Sequence, residues 1–108
     1  MIKKNFIGMQ LMPQAARTTD PTTGHPPCAP GRCGKGSKDI FIEGLPAYRV
    51  TDKSVPHGVP PFCVPHSTPL IKGSPTVFFN GLAAGRVKDK HACGIIVVSG
   101  SKKVLIND

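Results

Sequence analysis

The feature that most constrains this chain is a phrase of sequence that it repeats. Gly36-Ser37-Lys38-Asp39-Ile40-Phe41-Ile42-Glu43-Gly44-Leu45-Pro46-Ala47-Tyr48-Arg49-Val50-Thr51-Asp52 aligns without a gap on the stretch from Gly73 to Asp89. A third copy is split across the ends: Met12 to Asp20 matches the back half and Gly100 to Asn107 the front half. Such a unit cannot bury its apolar face alone and must stack on its neighbours.

Each copy reads as a hairpin. Asp39 to Glu43 alternates with period 2, which puts Ile40 and Ile42 on one face, Glu43-Gly44 turns, and Pro46 to Thr51 returns. In the second copy Asn80-Gly81 lies between Val77-Phe78-Phe79 and Ala83-Ala84-Gly85-Arg86-Val87. Asn-Gly is a strong hairpin signal because both central residues of a type I′ turn need positive φ. One or two strands are expected between about Asn5 and Asp20, followed later by the apolar run Ile95 to Val98 and a last strand Val104-Leu105-Ile106. The 12 glycines and 12 prolines approach the proportion found in disordered chains, but here they recur at turn positions. The expectation is an all-β domain spanning 1–108, with little or no helix, too small for a large core and in need of a staple.

The formal charge of +8 suits a polyanion, and a small basic zinc module for nucleic acid is the alternative reading of this composition. The basic residues are scattered, however, with no run longer than Lys3-Lys4 or Lys102-Lys103, and one Tyr and no Trp leave few platforms for stacking bases. Nucleic acid is therefore not the expected partner. No stretch approaches the roughly 18 apolar residues of a membrane-spanning helix. The start, Met1 to Met12, has a basic pair before an apolar stretch, but Gly8 and Gln10 interrupt it and the repeat begins at Met12, so no export signal is read.

Three loops follow the three copies. Pro21 to Lys35 and Asp52 to Pro69 are so rich in Pro and Gly that regular structure is not expected there, and Lys90 to Gly94 is short. Every His (His25, His57, His66, His91) and every Cys (Cys28, Cys33, Cys63, Cys93) falls in these loops, and none in an expected strand. His25 lies five residues after Asp20, His57 five after Asp52, and Cys93 four after Asp89. If the repeats wrap around a common axis, three or four borderline and soft donors meet at one end, which suits tetrahedral zinc. Cys28 and Cys33 are too far apart for a Cys-x2-Cys pair, and His91-x-Cys93 is too tight for a finger. A metal centre is favoured over solvated or buried His and Cys. Two disulfides are the least favoured reading, because nothing in the sequence indicates an oxidising compartment.

Enzymatic chemistry is not expected. The six carboxylates are Asp20, Asp39, Glu43, Asp52, Asp89 and Asp108, and no His-Glu-x-x-His pattern sets a general base beside a metal. Asp20, Asp52 and Asp89 each stand three residues after an Arg (Arg17, Arg49, Arg86), as turn formers and local ion-pair partners rather than catalytic acids.

Gln14-Ala15-Ala16-Arg17, Pro46-Ala47-Tyr48-Arg49 and Ala83-Ala84-Gly85-Arg86 are variants of one Pro-Ala-Ala-Arg motif. With their Gly-Ser-Lys-Asp-Ile-Phe-Ile-Glu-Gly and Gly-Ser-Pro-Thr-Val-Phe-Phe-Asn-Gly settings, they resemble the PAAR-repeat proteins from about Met9 to the C-terminus. The resemblance implies a small cone of three pseudo-threefold β-hairpin repeats with a metal near its apex. It implies a structural spike tip that caps the blunt end of a trimeric β-helical spike, VgrG-like in type VI secretion systems or the central spike of contractile phage tails, and sharpens it for membrane puncturing. It implies zinc, with iron as the other candidate, held by three His and one Cys. On this sequence the family positions fall on His25, His57, His66 and Cys93, with His91 and Cys63 as competitors. The partners implied are the spike trimer and, transiently, a target membrane, with no small-molecule substrate. The protein is then made in the cytoplasm, assembled on the spike, and secreted or carried in the virion. Longer members of the family carry an effector domain, and ending at Asp108 suggests a bare tip. Val104, Leu105, Ile106, Phe78 and Phe79 are candidates for core or docking base.

Overall fold

A computed structural model of the chain describes residues 12–106. The readings that touch residues before Met12, including the strand near Asn5 and the start of the resemblance at Met9, lie outside the described residues, as do Asn107 and Asp108. The described chain is all-β and without helix. Eight short strands form four antiparallel hairpins: β1 (Pro21–Gly24) with β2 (Pro30–Arg32), β3 (Phe41–Ile42) with β4 (Leu45–Pro46), β5 (His57–Val59) with β6 (Val64–His66), and β7 (Phe78–Phe79) with β8 (Leu82–Ala83).

The repeat hairpins form where turn chemistry expects them. Glu43 and Gly44 have φ of 53° and 82°, and Asn80 and Gly81 have 57° and 79°, so both turns use the paired positive φ of a type I′ connection. Asn tolerates that region better than Glu. At Glu43 the strain is offset by long-range bonds, since its carboxylate accepts from Arg17 Nη1 at 3.1 Å and from Ser101 Oγ. At the start of each copy's front half a buried serine supports the chain. Ser37 Oγ accepts the amides of Asp39 and Ile40, Ser74 Oγ those of Thr76 and Val77, and Ser101 Oγ those of Lys103 and Val104.

The return strands are shorter than the sequence suggests: Ala47 and Ala84 still donate to Ile40 and Val77 of their own copy, and beyond them the chain pairs with a neighbouring copy. Arg17 bridges Ala47, Arg49 bridges Ala84, and Arg86 bridges Ala15. One residue further in, Tyr48 N–H donates to Ala16 O at 3.0 Å, Gly85 N–H to Tyr48 O at 2.8 Å, and Ala16 N–H to Gly85 O at 2.9 Å. These three bonds close a ring in which each copy donates to one neighbour and accepts from the other. Backbones this close require small side chains. Ala15, Ala47 and Ala84 are fully buried, and a Cβ on Gly85 would lie 2.9 Å from both Leu70 Cδ2 and the Tyr48 carbonyl oxygen.

The Arg-x-x-Asp endings are scaffold. Arg17, Arg49 and Arg86 each clamp Asp20, Asp52 and Asp89 through Nε and Nη2 at 2.8–3.0 Å. The same carboxylate accepts the arginine's own amide. The residue before each Asp (Thr19, Thr51, Lys88) has positive φ, at 75°, 86° and 79°. Arg86–Asp89 is the most buried of the three, and breaking a buried pair costs about 3–5 kcal/mol, because the surviving charge loses its partner.

The core has two layers. Ile42, Ile106 and the three ring alanines pack with Ile40, Val77, Phe79 and Val104. Tyr48, Leu70, Val97, Ala16 and Cys33 pack in the other, against Val50 and Val87. Of the candidates for core or base, Val104, Phe79 and Ile106 are therefore core, whereas Phe78 and Leu105 face outward.

Two expectations are corrected. The Pro- and Gly-rich stretches 21–35 and 52–69 are not irregular throughout, since each contains a hairpin, and His57 and His66 lie in strands. Proline tolerates these positions because Pro21 and Pro30 begin their strands and the sheets are only two strands wide. Gly24 permits the irregular register of β1 on β2, since a Cβ there would lie 2.4 Å from the Ala29 carbonyl oxygen.

Candidate metal centre

The second of these hairpins provides half of a donor cluster. His57 opens β5 and His66 closes β6, and the register sets them directly opposite each other. His25 enters from the turn after β1, and Cys93 from a tight turn in which Gly94 N–H donates to His91 O at 2.9 Å. The donor atoms of His25, His57, His66 and Cys93 all lie within 4.8 Å of one another. The Nε2 atoms are separated by 3.2 Å (His25 to His57), 3.2 Å (His25 to His66) and 2.9 Å (His57 to His66), and Cys93 Sγ is 3.6 Å from His57 Nε2.

This donor set fits a metal ion. A tetrahedral ion bound about 2.05 Å from nitrogen and 2.3 Å from sulfur separates two nitrogens by about 3.3 Å and nitrogen from sulfur by about 3.6 Å. Hydrogen bonding among the rings cannot satisfy the same arrangement. Three mutually adjacent Nε2 atoms cannot form three donor–acceptor pairs, because at least two of them must be alike. One cation at the centre accepts a lone pair from each.

The surroundings favour the ligand form of the side chains. His57 Nδ1–H donates to the Val55 carbonyl at 3.2 Å, with Ser54 Oγ 3.4 Å away, which leaves the Nε2 lone pair facing the cluster. Burial first, and then repulsion from His57 and His25, holds His66 below the usual imidazole value, which favours its neutral form. Thr68 Oγ1 donates to Cys93 Sγ at 3.1 Å, and Thr68 N–H donates to Ser54 Oγ at 3.3 Å. Sequence reasoning did not find Ser54, Val55 or Thr68. Only the nearness of Thr68 to His66 pointed there, and a threonine two residues from a ligand is unremarkable.

The competitors have other roles. His91 is buried in the core, with Nε2 2.8 Å from Tyr48 Oη and Nδ1 3.4 Å from Ile95 O, and burial lowers its pKa. Cys63 is bonded to Cys28. This corrects the expectation that disfavoured disulfides, because two hairpin turns far apart in sequence meet in space and bring the sulfurs together. Cys33 is a free thiol within the core, and burial pushes its pKa far up.

Fold and site together define a small all-β module whose repeats close on one another by backbone pairing and whose loops assemble a four-donor centre. The family model for the PAAR motif matches residues 63–108, consistent with a PAAR-repeat protein. The match includes His66 and Cys93. No curated protein matches the chain.

Proposed function

We propose that this protein is a structural spike tip. It seats on the blunt end of a trimeric β-helical spike, and a zinc ion held by His25, His57, His66 and Cys93 fixes its apex. With four protein donors the centre is closed, leaving no open position for substrate, so the ion's contribution is to folding. The bonding ring among Ala16, Tyr48 and Gly85 supports a pseudo-threefold arrangement of the copies, which is the symmetry a single chain needs to cap a trimer.

The observation that carries the docking claim is the outward position in each copy. Phe41, Phe78 and Leu105 are equivalent in the aligned repeats and are 57%, 56% and 39% exposed, while their neighbours Ile42, Phe79 and Ile106 pack inward. These three apolar side chains and the adjacent strand edges form the base that continues a β-helix. Away from the repeat hairpins, the β5–β6 turn presents Phe62, 85% exposed, as the apolar point for transient contact with a target membrane. On this reading the chain is made in the cytoplasm, loaded on its spike, and leaves with it by secretion or in a virion.

Binding to the purified spike trimer tests the claim. The expected result is one tip per trimer, weakened at least about 30-fold by the Phe41→Glu/Phe78→Glu double change, the scale of losing central apolar anchors. Failure to bind the spike of its own system, or salt-sensitive DNA binding in its place, contradicts it.

A further inference from the structure

The disulfide joins two of the elements that carry the donors. It joins the β1–β2 turn to the β5–β6 turn, with Cα atoms 5.6 Å apart. Cys28 belongs to the same turn as His25, since its N–H donates to the His25 carbonyl at 2.8 Å. Cys63 precedes the strand that ends at His66, and packs on Gly58, where a Cβ would lie 2.7 Å from Cys63 Cβ. The roots of the two hairpins are tied separately, by the Cys33–Ser54 bridge and by Val55 N–H donating to Arg32 O at 2.9 Å. The disulfide thus closes the far end of the pair and binds the turn that brings one donor to the hairpin that brings two.

We propose that Cys28 and Cys63 are a redox-controlled clamp on the metal centre. Closed, the disulfide holds His25 against His57 and His66 and tightens the site; opened, it releases the His25 turn and loosens it. The inference rests on reading the four-donor cluster as a metal site. Closing is thiol–disulfide exchange: the two thiols give up two protons and two electrons to one oxidised glutathione, which leaves as two molecules of glutathione, and opening is the reverse. The thiols are open in a reducing compartment and close on passing to an oxidising one. Because binding is linked, the metal stabilises the closed disulfide by the same factor by which the disulfide tightens the metal.

Zinc titration of the whole chain against a chromophoric chelator tests this, with the oxidised protein, the protein reduced by a phosphine, and the Cys28→Ala/Cys63→Ala variant. The oxidised form is expected to bind zinc about 10-fold or more tighter than the reduced form, the scale of a preorganised site, with the variant matching the reduced form whatever the redox state. In glutathione buffers, zinc-loaded protein should close its disulfide at a correspondingly less oxidising ratio than zinc-free protein. Equal zinc affinity in oxidised and reduced wild type overturns the clamp alone. No zinc binding in either state overturns the metal centre and the clamp with it.

Discussion

His57 and His66 face each other across the β5–β6 ladder with their Nε2 atoms 2.9 Å apart. Two imidazoles in that geometry are stable when each offers a lone pair to a shared ion, and repel when both are protonated. The backbone register that sets this pair comes from a hairpin with a three-residue strand on either side of a Pro-rich turn, so a small local element fixes half of the centre.

Thr68→Ala removes the hydroxyl that donates to Cys93 Sγ. Groups that hydrogen-bond metal ligands typically contribute about 10–100-fold to metal affinity. Chelator competition should show a loss in that range with the metal stoichiometry unchanged, while Thr68→Ser should retain most of the affinity. Unaltered affinity in Thr68→Ala would remove Thr68 from the centre.

Metal-free protein should lose stability as pH falls. Burial is the main cause that lowers both His66 and His91 below the ordinary imidazole value of 6.5, with His57 adding repulsion at both. Between the folded and unfolded values the unfolded chain binds more protons, so the stability of the fold rises with pH there. The contribution is complete above about pH 6.5 and is lost as pH drops through the folded values. Melting of chelator-treated protein from pH 8 to 5 should show a falling Tm below pH 7, with a shallower slope in His91→Asn. A flat profile would mean that neither imidazole is held neutral by the fold.

Asn80 serves two purposes that two variants separate. Its Oδ1 accepts from Arg49 Nη1 at 2.9 Å and from Ser37 Oγ at 2.8 Å, and its Nδ2 donates to Asp39 Oδ1 at 3.0 Å, while its backbone has φ of 57°. Asn80→Gly keeps the turn and loses the bonds, at an expected cost of about 1 kcal/mol. Asn80→Ala adds the positive-φ penalty of about 1–2 kcal/mol. Asp39, held below the usual carboxylate range first by Asn80 and then by Ser37, should titrate higher in both variants by NMR. Equal stability of the Asn80→Gly and Asn80→Ala variants would show that the turn does not require positive φ.

The repeat made much of the scaffold legible. Asn80-Gly81 specified its turn because positive φ is a local property, and Asp20, Asp52 and Asp89 were readable as partners of Arg17, Arg49 and Arg86 because the spacing is three residues. The donors were legible for a different reason: His25, His57 and Cys93 stand at similar distances after the repeated Asp, so closing the repeats brings their loops together. What the sequence hid is tertiary. Prolines that speak against strands in a wide sheet are compatible with the two-stranded β1–β2 and β5–β6 hairpins. The Cys28–Cys63 pairing depends on two turns meeting in space, and Thr68 acquires its role only once Cys93 is placed beside it.

Elemental analysis of the protein purified without chelator tests the metal centre most directly. About one zinc per chain is expected, near zero in His57→Ala and Cys93→Ser, with a Tm that falls by more than about 10 °C on chelation, since each kcal/mol is worth roughly 4–8 °C in a domain of this size. Wild-type protein that carries no metal and melts unchanged with or without chelator would contradict it.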